Sequence, residues 1–145
     1  MRRPLNGDLA DWLRDLAPVP HPEDYVFCHL QQGAYGALAS CNPLASILED
    51  DGLSLIVPKA EADREGLSYQ GVFCCLSLQV YSPLEGVGLT AILASELAHH
   101  NISANIISGT LHDHILVPKV DGDRALAVLR ALSAQHQRQG GRGHE

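Results

Sequence analysis

The chain carries little charge, few aromatic rings and no long apolar run. Only 19% of its 145 residues are charged, and the net charge is −7. Such a chain has no basic stripe to displace counterions from phosphates, which argues against a nucleic-acid partner. The longest apolar stretch, Val87 to Ala98, is broken by Thr90, Ser95 and Glu96 and is too short to cross a bilayer. Arg2-Arg3 leads into Pro4 and a mostly polar run, where a secretion signal would place an apolar core. The expectation is a cytoplasmic protein with reduced cysteines. The four cysteines form no C-x-x-C pair, and the adjacent Cys74-Cys75 makes a poor local disulfide. They are read as packing residues, with no neighbouring base to make any of them a nucleophile.

What is present is a repeat. Val57-Pro58-Lys59-Ala60-Glu61-Ala62-Asp63-Arg64 returns as Val117-Pro118-Lys119-Val120-Asp121-Gly122-Asp123-Arg124, 60 residues later. Apolar triplets, Leu55-Ile56-Val57 and Ile115-Leu116-Val117, lead into both copies. A weaker echo, Val26-Phe27-Cys28 against Val72-Phe73-Cys74, is spaced by only 46 residues. One supersecondary unit is built twice. The second copy holds 14 residues that the first lacks, about the length of one helix. Lys59 and Lys119 are read as surface residues of a junction common to both copies.

Periodicity fills in the elements. Leu5, Leu9, Trp12, Leu13 and Leu16 lie on one helical face, with Asn6 or Asp8 as cap and Pro18-Val19-Pro20 as stop. Strands are expected over Tyr25–Leu30, Leu53–Val57, Val72–Tyr81, Ile102–Ser108 and His112–Pro118, with a turn at Asp51-Gly52. Ala34 to Asp51 is ambiguous. Helices are expected from Pro58 to near Gly66, from Leu89 to His100 with Asn101 as stop, and from Asp121 or Asp123 onward with Ala125, Val128, Leu129 and Leu132 inward. Gln135 to Glu145 is polar and Gly-rich and reads as a frayed or disordered tail. The second half is β-α-β-β-α and the first is the same without its first helix. That order gives an α+β fold, with two antiparallel sheets or one continuous sheet and helices on one face. The halves divide as residues 1–68, a reduced unit with the N-terminal helix, and 69–134, a complete one.

The segment Ser82 to Gly88 lies between a strand and a helix N-terminus. Free N–H groups and the positive end of the helix dipole gather there, a place suited to a carboxylate. Gly86 and Gly88 let the backbone approach a ligand. Glu85 suits an ammonium group, and Asn105 both donates and accepts hydrogen bonds. The fingerprint Gly86-x-Gly88-x-x-Ala91 matches the dinucleotide pattern formally, but no acid follows about 20 residues on and the next strands join by a tight turn. His112 and His114 share a strand face, yet no third ligand stands at metal-binding spacing, so no metal and no cofactor are expected.

The run Gly86-Val87-Gly88-Leu89-Thr90-Ala91 to Leu97-Ala98-His99-His100-Asn101-Ile102-Ser103 resembles the ACT domain. So does its continuation through Asn105-Ile106-Ile107-Ser108-Gly109 to His114-Ile115-Leu116-Val117-Pro118. The likeness is particularly to the regulatory modules of aspartate kinases, and over Tyr25 to Ala134 to a small family of stand-alone, tandem ACT-like proteins. It implies two ferredoxin-like βαββαβ units, the first reduced. It also implies a non-enzymatic regulator or sensor that binds a small molecule, an amino acid by expectation. The implied ligand shell is Gly86, Val87, Gly88, Leu89, Asn105 and Ile106, edged by Glu85 and His114. The other reading is a structural or protein-interaction module with no small ligand. ACT units often pair, so a homodimer or a regulated protein partner is expected.

Overall fold

A computed structural model describes residues 7–142, which fall into two compact units. One unit is Pro22–Cys74; the other joins the chain up to His21 with the chain from Cys75 onward. Strand β1 (Pro18–Leu30) runs from one into the other.

In the Pro22–Cys74 unit the strand order is β2-β3-β1, with β2 at Ala45–Glu49 and β3 at Gly52–Pro58. Both pairings are antiparallel: Tyr25 faces Pro58 and Leu30 faces Leu53, while Glu49 faces Gly52 across a two-residue turn, Asp50-Asp51. The core collects Val26, Cys28, Leu53, Leu55 and Val57 from the strands and Ala62 from helix α2 (Lys59–Arg64). The ambiguous stretch before β2 becomes turns, a short 3-10 helix at Ala39–Cys41 and then the strand itself. Ala37, Leu38 and the fully buried Cys41 pack on the core in place of a first helix. The echoing Phe27 and Phe73 meet edge to face at 4.9 Å. Lys59 is held by Asp63 at 2.8 Å, and Asp63 also accepts from the Tyr69 hydroxyl at 2.6 Å.

In the other unit the strand order is β1-β4-β6-β5, with β4 at Phe73–Leu78, β5 at Asn105–Ser108 and β6 at Asp113–Pro118. Helix α3 (Leu89–His99) buries Leu89, Leu93 and Leu97 and stops where Asn101 takes a left-handed φ of 57°. Helix α4 (Gly122–Arg142) buries Ala125, Leu129 and Leu132, with Val128 half-buried. Helix α1 (Leu9–Arg14) packs on α3 and α4. Asp8 caps it in a reciprocal box with Asp11, so the expected N-terminal helix is present, while Leu5 and Asn6 lie outside the described residues.

The repeated phrase sits at one junction in each unit. Pro58 (φ −56°, ψ 136°) ends β3 before α2, and Pro118 (φ −53°, ψ 139°) ends β6 before a 3-10 turn and α4. The two backbones turn alike because proline fixes φ and has no N–H to lose at a helix start.

Two expectations are corrected. β1 begins at Pro18, before the expected Tyr25. Pro18 and Pro20 are two apart, so their missing donors fall on one edge of the strand and the other edge remains usable. The chain stays helical beyond Ala134: Gln137 Nε2 donates to the Arg14 carbonyl at 3.1 Å, and Ser133 Oγ to the same oxygen at 2.7 Å. Regular structure thus continues through Arg142, whereas disorder was expected from Gln135; residues 143–145 are outside the described range. Helix α1 falls in the compact unit of α3 and α4.

Candidate functional site

The loop between β4 and α3 stands where the sequence placed a ligand. Gly88 is the N-cap of α3 with φ 107°, in a conformation that favours glycine, and no side chain caps the helix. The first N–H groups of α3 therefore have no side-chain acceptor at the cap, and the positive end of the helix dipole faces this loop.

A small cavity of about 40 Å³ opens here, lined among others by Gly86, Leu89 and Thr90 on the loop side and by Ser108, Gly109 and His112 on the strand side. That is room for about one water molecule. Trp12 of α1 also lines it. A Cβ on Gly86 would stand 2.7 Å from the Trp12 ring, and one on Gly88 would stand 2.9 Å from Leu9. Glycine at both positions thus lets α1 seat directly on the loop.

Of the expected shell, Gly86 and Leu89 line the cavity. Gly88 is the cap, while Glu85 and Val87 are exposed on the loop, Val87 by 85%. Asn105 is exposed and Ile106 half-buried on β5, which leads into the Ser108–Gly109 wall. His114 stands in a different group, described below. Among the lining residues outside the expected shell are Trp12 and His112. The His112 ring packs against Tyr81 with centroids 4.8 Å apart, and its Nδ1 is buried with no hydrogen-bond partner among the described residues. An orphaned buried polar atom costs about 1–3 kcal/mol, so something is expected to meet it. The sequence singled out His112 for its alternation with His114 but gave no sign that it would face the loop.

A larger groove of about 640 Å³ lies along α1 and α4, with Arg14, Arg130 and Gln79 in its lining. Arg14 is already paired with Asp11 at 3.0 Å and Asp15 at 2.9 Å. The guanidinium left to receive a ligand there is that of Arg130, on an exposed residue.

His114 Nδ1 lies 2.6 Å from Ser77 Oγ, and His21 Nε2 lies 2.6 Å from the same oxygen. Burial, with His21 and His112 nearby, holds the His114 imidazole below its ordinary pKa. The four cysteines are free thiols. Burial, together with Cys41, pushes the Cys28 thiol up, away from the thiolate form that a nucleophile needs.

A duplicated α+β unit of this order, with a glycine loop feeding a helix N-terminus, defines a ferredoxin-like module. Two ACT-domain family models match in tandem, over residues 6–75 and 72–131. The chain belongs to the ACT-domain family. The crystal structure of a Vibrio cholerae protein of unknown function, described as a possible transport protein, is 39% identical, with a TM-score of 0.78 over 86% of this chain and 95% of that one. An Agrobacterium tumefaciens protein shares the fold at 19% identity and a TM-score of 0.67, over 81% of this chain and 89% of that one. So does the regulatory subunit of aspartate kinase from Thermus thermophilus, at 9% identity and a TM-score of 0.60, covering 81% and 97%. Among curated proteins, none matches the chain. ACT domains are generally regulatory and ligand-binding modules. No helix among the described residues is long and apolar enough to cross a membrane.

Proposed function

We propose that this protein is a regulatory or sensor module that binds a free amino acid at the loop before α3, acting by binding and not by catalysis. The observation that carries the proposal is the buried, unpartnered Nδ1 of His112 beside an uncapped helix N-terminus. The helix end suits the ligand carboxylate. Glu85, exposed on the same loop, suits its ammonium group, and the His112 nitrogen suits a polar side chain or a bridging water. The proposed shell keeps Glu85, Gly86, Val87, Gly88 and Leu89 and adds His112; Asn105, Ile106 and His114 stand on the strands behind it. A cavity of about 40 Å³ does not admit an amino acid, so binding requires the Trp12 ring to swing out.

A thermal-shift screen of the twenty amino acids tests this. A ligand present at 100 times its dissociation constant stabilises by about 2.7 kcal/mol. His112→Phe, which keeps a ring against Tyr81, is expected to abolish the shift while Arg130→Ala keeps it. No shift with any amino acid sinks the proposal, and loss in Arg130→Ala alone moves the ligand to the larger groove.

One observation favours a protein-pairing role as a second reading. β2 stands at the end of its strand order and exposes Ile47 by 51% and Leu48 by 70%. Apolar side chains on an edge strand invite pairing with another chain. Sedimentation is expected to give a dimer that Leu48→Lys splits; a monomer at all concentrations removes this reading.

A further inference from the structure

The side chains of His21, Cys75 and His114 come from three different strands and converge. Each offers one ligand atom, and these atoms all lie within 4.8 Å of one another. The strand order β1-β4-β6 explains why: adjacent strands run about 4.8 Å apart, and Cys75 and Ser77, two residues apart on β4, share the face between the two imidazoles. Ser77 Oγ sits at the hub, 2.6 Å from His21 Nε2, 2.6 Å from His114 Nδ1 and 3.9 Å from Cys75 Sγ. Cys75 is fully buried and Ser77 nearly so, while both histidines are half-buried and open the cluster to solvent.

From this convergence we infer that His21, Cys75 and His114 form a binding site for a borderline-soft divalent transition metal, zinc being the type case. Two imidazoles and a thiolate are the donors such ions select, and the trio holds no carboxylate to attract magnesium or calcium. Bonds of about 2.0–2.3 Å in a tetrahedron separate the donors by roughly 3.3–3.8 Å. Donors within 4.8 Å of one another have to draw in by about an ångström to reach that spacing. The Ser77 hydroxyl stands within hydrogen-bond distance of both rings, so the two imidazoles already converge on one point, which a bound metal would take over from the hydroxyl. The fourth position is open to water or to Ser77 itself. Binding releases the thiol proton of Cys75.

Cobalt(II), titrated into the untagged full chain, is the probe. The expected result is one equivalent bound with a thiolate-to-cobalt charge-transfer band, tetrahedral d–d absorption, and displacement by zinc(II). Cys75→Ser is expected to remove the charge-transfer band, and His114→Ala to weaken binding by at least about tenfold. Cys74→Ser, on the neighbouring thiol, is expected to leave the spectrum unchanged. Circular dichroism checks that each variant folds. Should Cys75→Ser not fold, His21→Gln carries the test: loss of the tetrahedral spectrum supports the site and its retention overturns it. A thiolate band that survives in folded Cys75→Ser overturns the site. So does cobalt bound with only a weak octahedral spectrum, as surface histidines would hold it.

Discussion

Replacing Trp12 with Ala is expected to remove about 3–5 kcal/mol of unfolding free energy, the range for losing a buried aromatic side chain. The ring is only 6% exposed and forms one wall of the cavity before α3. It also does more for α1 than α1 can do for itself. Six residues are too few for a stable isolated helix, so the Asp8 cap and the packing of Trp12 and Leu13 hold the element in place. The ring's seat on Gly86 gives the prediction a second arm. A Cβ at Gly86 would stand 2.7 Å from the ring and 3.1 Å from the Pro83 carbonyl. In the native background Gly86→Ala is expected to cost about 1–3 kcal/mol by overpacking. With Trp12→Ala already present, the ring collision is gone and only the milder Pro83 contact remains. A double-mutant cycle in urea is therefore expected to show a coupling of roughly 1–2 kcal/mol. Strict additivity would mean that the ring does not sit on Gly86. At the proposed site, Trp12→Ala also removes the side chain that an amino acid would have to displace, so amino-acid affinity is expected to exceed that of the native protein.

That prediction could not have been made from the sequence, and the reason is physical. Leu9, Trp12 and Leu13 announce a helix with a buried face, but periodicity does not say what the face is buried against. In the chain α1 precedes the first half, and the structure packs it on α3 and α4, over the glycine loop between β4 and α3. The features that were legible are local ones. The Val-Pro-Lys repeat marked two equivalent junctions, and Pro58 and Pro118 adopt nearly the same angles. Asn101 marked the end of α3, and Asp8 was one of the two caps expected for α1. The features that were not legible depend on register. His21, Cys75 and His114 share no spacing signature, since strand order alone places them side by side. Glutamines and histidine past Ala134 look like tail composition, but Gln137 is tied to the Arg14 carbonyl and α4 continues. The 14-residue asymmetry was legible as a missing helix, while the replacement of that helix by Ala37, Leu38 and Cys41 was not, because a short 3-10 turn has no periodic signal.

Gly52→Ala is expected to be as damaging as the loss of Trp12, by a different route. Gly52 follows the Asp50-Asp51 turn with φ +130°, a backbone conformation essentially reserved to glycine, whose strain costs other residues on the order of 1–3 kcal/mol. A Cβ built there stands 2.4 Å from the Leu30 carbonyl oxygen and 2.9 Å from Gln31 Cα. These are backbone atoms at the end of β1, where Leu30 pairs with Leu53, so neither can swing aside as a side chain would. Moving them means opening the last rungs of both the β1–β3 and β2–β3 ladders. Collision of this kind adds about 1–3 kcal/mol, so the total is expected to be roughly 2–6 kcal/mol. Gly66→Ala is the control. It also has a positive φ, +67°, but a Cβ there meets nothing within 4 Å. Its cost is the left-handed backbone alone, about 1–2 kcal/mol. The difference between the two variants, read from urea unfolding, isolates the close approach of β3 to the end of β1. Hydrogen exchange is expected to show faster opening in β2 and β3 for Gly52→Ala and not for Gly66→Ala. Equal costs for the two would mean that the Asp50-Asp51 turn leaves room behind it. The tight seat inferred for Gly52 against Leu30 would then be wrong.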